Sequence, residues 1–302
     1  MTIESPSSSW RDYELIDFGN SEKLERFGGY VVIRPEIRAK KERTLPEEEW
    51  LKCACAKFVP GSGLAKAGKE DSGSWGMLRK MDDDWTVSYP KVGFDLLLKL
   101  TAFKHIGVFP EQAPNWDFIY SNVKEIAASF PEGDPPRVLN LFAYTGAASL
   151  AARRAGADVI HLDSVRQVVT WARNNMESSG LDNIRWVIED ALVFVKREAR
   201  RGNSYQGIIL DPPAYGYGPD GQRWKLDDSI SEMLLNVASI LAPERSFMVL
   251  NLYSNGYSPA MAETLVQEAF GGKFHSLECG ELILKDSFGK VLPMSVFARL
   301  KR

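Results

Sequence analysis

Val138-Leu139-Asn140-Leu141-Phe142-Ala143-Tyr144-Thr145-Gly146-Ala147-Ala148-Ser149 is the stretch that decides the fold. A short apolar run leads into a tight turn and then into helix formers, which reads as strand, glycine-containing loop and helix. The first such unit of a doubly wound sheet is where a nucleotide-like cofactor lies. A dinucleotide site would carry G-x-G-x-x-G, so that glycine backbone could approach a pyrophosphate. This loop has one glycine, Gly146, with Phe142 and Tyr144 where the tighter turns would be. A cofactor without phosphates fits better, and an NAD-dependent dehydrogenase becomes a remote reading.

The strands that follow repeat one feature. Residues 157–163 form a second apolar run ending in Asp163, and 164–176 has helical periodicity, with Val165, Val168, Val169 and Ala172 on one face. Ile184-Arg185-Trp186-Val187-Ile188 is a third strand, closing on Glu189-Asp190-Ala191. A fourth apolar run, Gly207-Ile208-Ile209-Leu210, ends in Asp211-Pro212-Pro213-Ala214-Tyr215-Gly216. An acid after the second strand commonly holds ribose hydroxyls, and Asp190 can accept from an exocyclic amine. Each acid alone is more often a helix N-cap than a ligand. Their shared phase at strand ends is the stronger signal. Pro212 and Pro213 stiffen the backbone and remove two amide donors, leaving carbonyls and the Asp211 carboxylate free to accept hydrogen bonds. Such a site suits a planar group that carries N–H donors; the plainer reading is a strand exit with a proline stop.

From about Val138 to its C-terminus the chain resembles the class I S-adenosylmethionine-dependent methyltransferases. The resemblance implies that Asn140, Phe142, Ala143, Tyr144, Thr145 and Gly146 surround the amino acid part of S-adenosyl-L-methionine. It puts Asp163, with Ser164 beside it, at the ribose, and Asp190 and Ala191 at the adenine. Asp211, Pro212, Pro213 and Tyr215 then form the catalytic motif. The N-L-F-A-Y-T-G loop together with D-P-P is similar to the ribosomal RNA large-subunit methyltransferase branch. Gly107-Val108-Phe109-Pro110-Glu111-Gln112 is similar to a G-x-F-x-D-Q segment that caps the cofactor in that branch, so Phe109 and Gln112 are candidate contacts. Glu111 replaces the usual Asp, and Ala113 stands where the branch carries an arginine. The implied fold is a doubly wound, Rossmann-like α/β sheet finished by a C-terminal antiparallel hairpin. Residues 246–252, 281–284 and 291–300 read as its later strands, and 226–241 and 258–270 as helices.

Methyl transfer from a sulfonium is an in-line displacement, so catalysis should be positioning and electrostatics. Methylation at carbon 5 of a pyrimidine needs a cysteine nucleophile. The cysteines are Cys53, Cys55 and Cys279, and none lies in a strand-end loop facing the cofactor. Carbon-methylating members of the branch carry a cysteine after the fifth strand, where this chain reads Tyr253-Ser254-Asn255. A nitrogen target remains: Asp211 and the Pro212 carbonyl accept its hydrogens while Tyr215 stacks on a base or simply packs. The resemblance favours ribosomal RNA as the partner and guanine as the base.

The rest of the sequence bounds this reading. The 302 residues are comfortable for two domains, and 44% hydrophobic with 25% charged residues is ordinary globular composition. Residues 1–93 read as a small β-rich module, with strand-like runs at 13–18, 29–34, 75–78 and 85–89, and 94–302 as the methyltransferase domain. Residues 45–58 read as helix, where Cys53 and Cys55 would face different ways and share no metal. No zinc spacing appears, so no metal is expected. No charged-then-apolar leader and no membrane-length apolar run is expected to direct the chain elsewhere, and few cysteines without framework spacing make a reducing cytoplasm the expected compartment. Net charge is −3, unlike a protein that grips RNA over its whole surface. Basic clusters at 38–43 and 196–201 either touch phosphate or form a solvated face. The rival readings are methylation of a protein amide or a small molecule, and a non-catalytic module that keeps the cofactor fold.

Overall fold

A computed structural model describes residues 2–61, 72–131, 133–253 and 256–302. Its central sheet has eight strands in the spatial order Thr2–Glu4, Ser276–Lys285, Val291–Lys301, Phe247–Leu252, Gly207–Leu210, Arg137–Leu141, Asp158–Asp163, Ile184–Ile188. The last five run parallel, and Val291–Lys301 is antiparallel to both of its neighbours. The doubly wound α/β sheet and its C-terminal antiparallel hairpin are thus as the sequence implies. Strand order reverses between Arg137–Leu141 and Gly207–Leu210, which opens a crevice at their carboxyl ends.

Period-two alternation divides the core into two layers. Leu139, Leu141, Ile160, Leu162, Ile208 and Leu210 pack with helices Ala191–Arg201, Leu226–Ile240 and Pro259–Phe270. Val138, Val159, Ile209 and Val249 face the other way, toward helices Ala113–Ala127 and Ala147–Arg154. Asn140, His161 and Asn251 fall in this second phase, near the carboxyl ends of their strands, so buried polar groups gather beneath the crevice. Helix ends follow local chemistry. Ser258 caps Pro259–Phe270 through the Met261 amide, with Pro259 at the first position, and Gly271 closes it in a left-handed turn.

The β-rich N-terminal region contains a five-stranded sheet, in order Tyr13–Gly19, Glu22–Phe27, Tyr30–Pro35, Ala56–Pro60 and Gly73–Met77, and a hairpin, Asp84–Tyr89 with Phe94–Lys99. The turn of that hairpin is residues 90–93, and the Thr2–Glu4 strand extends the central sheet. Aromatic residues of this region, Trp10 and Tyr89, pack edge-on against Trp116 of helix Ala113–Ala127. Lys290 reaches back from the C-terminal hairpin to Asp17 Oδ1 at 2.7 Å and to the Phe18 carbonyl at 2.6 Å.

Two elements differ from expectation. The helix expected over 45–58 covers only Glu47–Cys53; Ala54 turns extended, and Ala56–Pro60 joins the sheet. Ala56 and Phe58, two apart, are both buried there, which satisfies strand alternation rather than a helical stripe. The polar connector between the first two runs is itself a strand, Glu22–Phe27, because its buried Lys23 and Glu25 pair with each other and Glu25 binds Arg34 at 2.7 Å. No helix among the described residues is long and apolar enough to cross a membrane.

Candidate active site

The cofactor-type loop owes its shape to an alternating backbone. Phe142, Tyr144 and Gly146 have φ of 56°, 49° and 93°. A non-glycine residue held left-handed costs about 1–3 kcal/mol, so surrounding contacts must over-determine it. They do so here. The Ala143 amide donates to the Leu162 carbonyl at 3.0 Å, and the Tyr144 amide donates to Asp163 Oδ2 at 3.0 Å. Thr145 Oγ1 donates to the Gly107 carbonyl at 2.6 Å, and its own carbonyl accepts from Asn175 Nδ2 at 2.8 Å. A Cβ on Gly146 would stand 3.1 Å from the Ala172 Cβ, so both space and φ demand glycine there.

Above this loop lies a cavity at the switch point, walled by Phe109, Gln112, Asn140, residues 142–146, Asp211 and Asn251, with Trp116 and Ile119 at its apolar side. No lysine, arginine or cysteine is among its lining residues. Aromatic walls and oxygen acceptors without cations favour a guest that is positively charged and free of phosphate. The floor is a buried polar chain. Asn140 Nδ2 donates to Ser149 Oγ at 2.9 Å, and Ser149 Oγ lies 3.0 Å from His161 Nδ1. Burial pushes the His161 imidazole down to about 3, so it is neutral.

The capping segment closes the opposite side. The Phe109 ring centroid lies 5.3 Å from that of Tyr144 and 5.5 Å from that of Tyr253. Gln112 Nε2 donates to the Tyr253 hydroxyl at 3.2 Å, and that hydroxyl donates to Glu111 Oε1 at 3.1 Å. Gln112 Oε1 accepts from Asn115 Nδ2 at 2.8 Å, and Asn115 Oδ1 accepts from Arg299 Nε at 2.9 Å. Glu4 grips the same guanidinium at 3.0 and 2.6 Å. The edge strand is therefore wired to the cap. Glu111 is 1% exposed, and burial pushes its carboxyl up.

Asp211 sits at the crevice mouth, and its Oδ1 accepts from Asn251 Nδ2 at 2.8 Å. Asn251 Oδ1 accepts in turn from the Ser295 hydroxyl at 2.9 Å. Burial pushes the Asp211 carboxyl up to about 7; the Asn251 hydrogen bond pulls it down and the Glu111 charge pushes it further up. Such a group holds a proton or gives it up near neutrality, a property that clusters at functional sites.

The structure brings Phe109, Gln112, Asn140, residues 142–146 and Asp211 around one cavity. Asp163 joins them through the loop: its Oδ2 holds Tyr144 and its Oδ1 accepts from the Val165 amide at 3.0 Å, with Ser164 between. Asp190, followed by Ala191, caps the next helix through the Val193 amide at 2.9 Å, at the same sheet edge but outside the cavity wall. Pro212 is buried and Pro213 exposed, and the Pro213 carbonyl accepts from the Trp224 indole at 2.7 Å. Tyr215 points to solvent, 51% exposed. Sequence reasoning passed over Asn251 and Tyr253 as contributors. The signal for Asn251 was one polar residue in the apolar run Phe247–Leu252; Tyr253 stood in view, but Ser254 and Asn255 beside it lie outside the described residues. Cys53 is exposed, Cys55 is half-buried, and burial pushes Cys279 up to about 11. In the 196–201 cluster Lys196, Arg197 and Arg201 are tied to Glu232, Glu189 and Glu198, and in the 38–43 cluster Arg38 and Arg43 are tied to Glu36 and Glu22.

Comparison with known proteins agrees with this architecture. A family described as "Conserved hypothetical protein 95" matches residues 114–242. The ribosomal RNA large subunit methyltransferase I of Aeromonas hydrophila is 35% identical over 126 residues, 41% of this chain and 29% of that protein. The ribosomal RNA large subunit methyltransferase K/L of Shewanella frigidimarina is 30% identical over 118 residues, 38% of this chain and 16% of that protein. The chain thus aligns to less than a third of either curated relative. A SAM-dependent methyltransferase of Agrobacterium tumefaciens, by contrast, aligns over 100% of this chain and 93% of its own, at 36% identity and a TM-score of 0.88. On that end-to-end likeness, the chain belongs to the class I S-adenosylmethionine-dependent methyltransferases.

Proposed function

We propose that this chain methylates a nitrogen of a nucleobase in ribosomal RNA, guanine being the base that the resemblance favours, with S-adenosyl-L-methionine as the donor. The observation that carries the reading is Asp211, a carboxyl poised near neutrality at the mouth of a cation-free, cysteine-free cavity. When bound, the cofactor supplies an electrophilic methyl group on a sulfonium. Residues 142–146, Asn140, Phe109 and Gln112 would hold its amino acid end, with Asp163, Ser164, Asp190 and Ala191 on the ribose and adenine side.

Asp211 Oδ1 is fixed by Asn251, which leaves Oδ2 to accept an N–H of the incoming amine. The Pro212 carbonyl is the second acceptor, since the Pro213 carbonyl is occupied by Trp224. Two acceptors in fixed positions turn the nitrogen lone pair toward the cavity, which is orientation catalysis. The proton released from that nitrogen passes to Asp211 Oδ2. Phe109, Phe142 and Tyr144 exclude water around the reacting atoms. No cysteine lines the cavity, so attack on a pyrimidine ring carbon lacks its nucleophile.

The test is transfer of labelled methyl from S-adenosylmethionine into a lysate of cells lacking the gene, separated into RNA, protein and small molecules. Label in RNA is expected. Label confined to protein or small molecules would shift the substrate to an amide or metabolite presented to the same acceptors.

A further inference from the structure

Directly after the D-P-P motif the chain forms a two-stranded antiparallel ribbon, Tyr215–Tyr217 with Arg223–Lys225. Tyr215 stands opposite Lys225, Gly216 opposite Trp224 and Tyr217 opposite Arg223. Opposed residues share a face and successive residues alternate between faces, so the ribbon has two unlike sides.

The inner side is an anchor. Trp224 is buried, its indole donates to the Pro213 carbonyl at 2.7 Å, and its ring lies 4.8 Å from that of Phe142 in the cofactor loop. Gly218, where the ribbon turns, packs so closely that a Cβ would lie 3.1 Å from the Asp190 Cβ. The ribbon is therefore seated over the cavity loop and fixed to the catalytic motif at the same time. The outer side is its opposite in character. Tyr215 and Tyr217 are 51% and 70% exposed, and across from them stand Lys225, which binds Asp228 at 2.8 Å, and Arg223, which has no ion pair among the described residues.

The outer face thus carries two exposed aromatic rings and an exposed guanidinium that has no ion pair among the described residues. Every nucleobase offers a π-face to an aromatic ring, and a guanidinium matches a phosphate. A base held at Asp211 remains joined to its neighbours, and the strand they lie on must pass the ribbon that starts four residues further along the chain. We propose that the outer face of this ribbon is a stacking platform for nucleotides that flank the target base in single-stranded RNA, with Tyr217 stacking on a base and Arg223 holding a phosphate. The proposal rests on RNA being the substrate. It adds that the strand is unpaired where it crosses the ribbon, so that duplex RNA is a poor ligand until opened.

The experiment measures binding of a fluorescein-labelled single-stranded RNA of mixed sequence to the full chain and to Tyr217→Ala, Tyr217→Phe and Arg223→Gln, with S-adenosylmethionine affinity measured by calorimetry on the same samples. Loss of the ring should weaken RNA binding by about fivefold to 150-fold, and Tyr217→Phe should restore it. Arg223→Gln should lower the slope of log affinity against log salt by about 0.7, the value for one phosphate contact to a single strand. Cofactor affinity should not move in any of the three. RNA binding by Tyr217→Ala and Arg223→Gln equal to that of the unaltered chain overturns the platform, as does equal or tighter binding of a duplex of the same sequence. A chain that binds no RNA overturns it too. If the unaltered chain methylates RNA while Tyr217→Ala and Arg223→Gln keep its KM and affinity, the ribbon fails and the substrate reading stands. If label from the lysate assay never enters RNA, the substrate reading fails by itself.

Discussion

Asn251→Ala removes the hydrogen bond that tunes Asp211, together with the Ser295 bond behind it. Asn251 is 1% exposed; its amide nitrogen donates to Asp211 Oδ1 at 2.8 Å and its amide oxygen accepts from the Ser295 hydroxyl at 2.9 Å. A hydrogen bond to a charged group is worth about 1.5–3 kcal/mol. One pH unit corresponds to about 1.36 kcal/mol, so losing the bond should raise the Asp211 pKa by about one to two units. Its starting point is about 7, which puts the variant near roughly 8 to 9. The sign follows from the chemistry: a raised carboxyl pKa means the accepting carboxylate exists only at higher pH. In the unaltered chain, kcat/KM for methyl transfer should therefore rise with pH through about 7 and then level. In Asn251→Ala the same limb should move up by about one to two pH units, with activity at pH 7 down roughly 5- to 50-fold and largely recovered at higher pH. The assay is a pH profile of kcat/KM for each protein, with circular dichroism confirming the fold. A profile that drops by a constant factor at every pH, with its limb unmoved, would refute Asp211 as the titrating acceptor.

Asp163→Ala frees the Tyr144 amide and lets the strained loop relax, and should cost roughly 1–3 kcal/mol of S-adenosylmethionine binding by calorimetry; unchanged affinity would detach Asp163 from the cofactor site. Glu4→Ala leaves the Arg299 guanidinium buried with only Glu278, 3.8 Å away, as an ionic partner among the described residues. Its cost in urea unfolding should be about 2–3 kcal/mol, just below the range for a fully buried pair because Glu4 is partly exposed, and an unfolding free energy lowered by less than a tenth of that would leave the edge strand without a role. Gly107→Ala forces φ of +112° on an L residue and drives a Cβ to 2.4 Å from the Trp171 ring, so thermal stability should fall by at least the 1–3 kcal/mol of such strain; a variant as stable as the parent would mean the capping segment sits elsewhere.

The catalytic half was legible because buried parallel strands read as uninterrupted apolar runs and their ends carry the chemistry. Gly207–Leu210 and Ile184–Ile188 match the expected strands residue for residue. The N-terminal region was harder to read. Glu22–Phe27 looks like a polar connector until Arg34, distant by nine or more residues, is seen to satisfy its buried Glu25. The helix over 47–53 ran on too far in the reading because Ala54 and Ala56 are good helix formers, and the strand partners at Tyr30–Pro35 and Gly73–Met77 draw the following residues into a sheet. At the site, the loop and Asp211 were legible from local pattern, whereas Asn251, Ser295 and the Glu4–Arg299–Asn115–Gln112 chain join residues up to 295 positions apart.

The most direct measurement of the central claim is nucleoside analysis by mass spectrometry of RNA from gene-deletion cells, incubated with S-adenosylmethionine and either the unaltered chain or folded Asp211→Ala. One N-methylated nucleoside is predicted with the unaltered chain and none with Asp211→Ala. A carbon-methylated base, an N-methyl product that survives Asp211→Ala, or label that appears in protein or small molecules but not in RNA would contradict it.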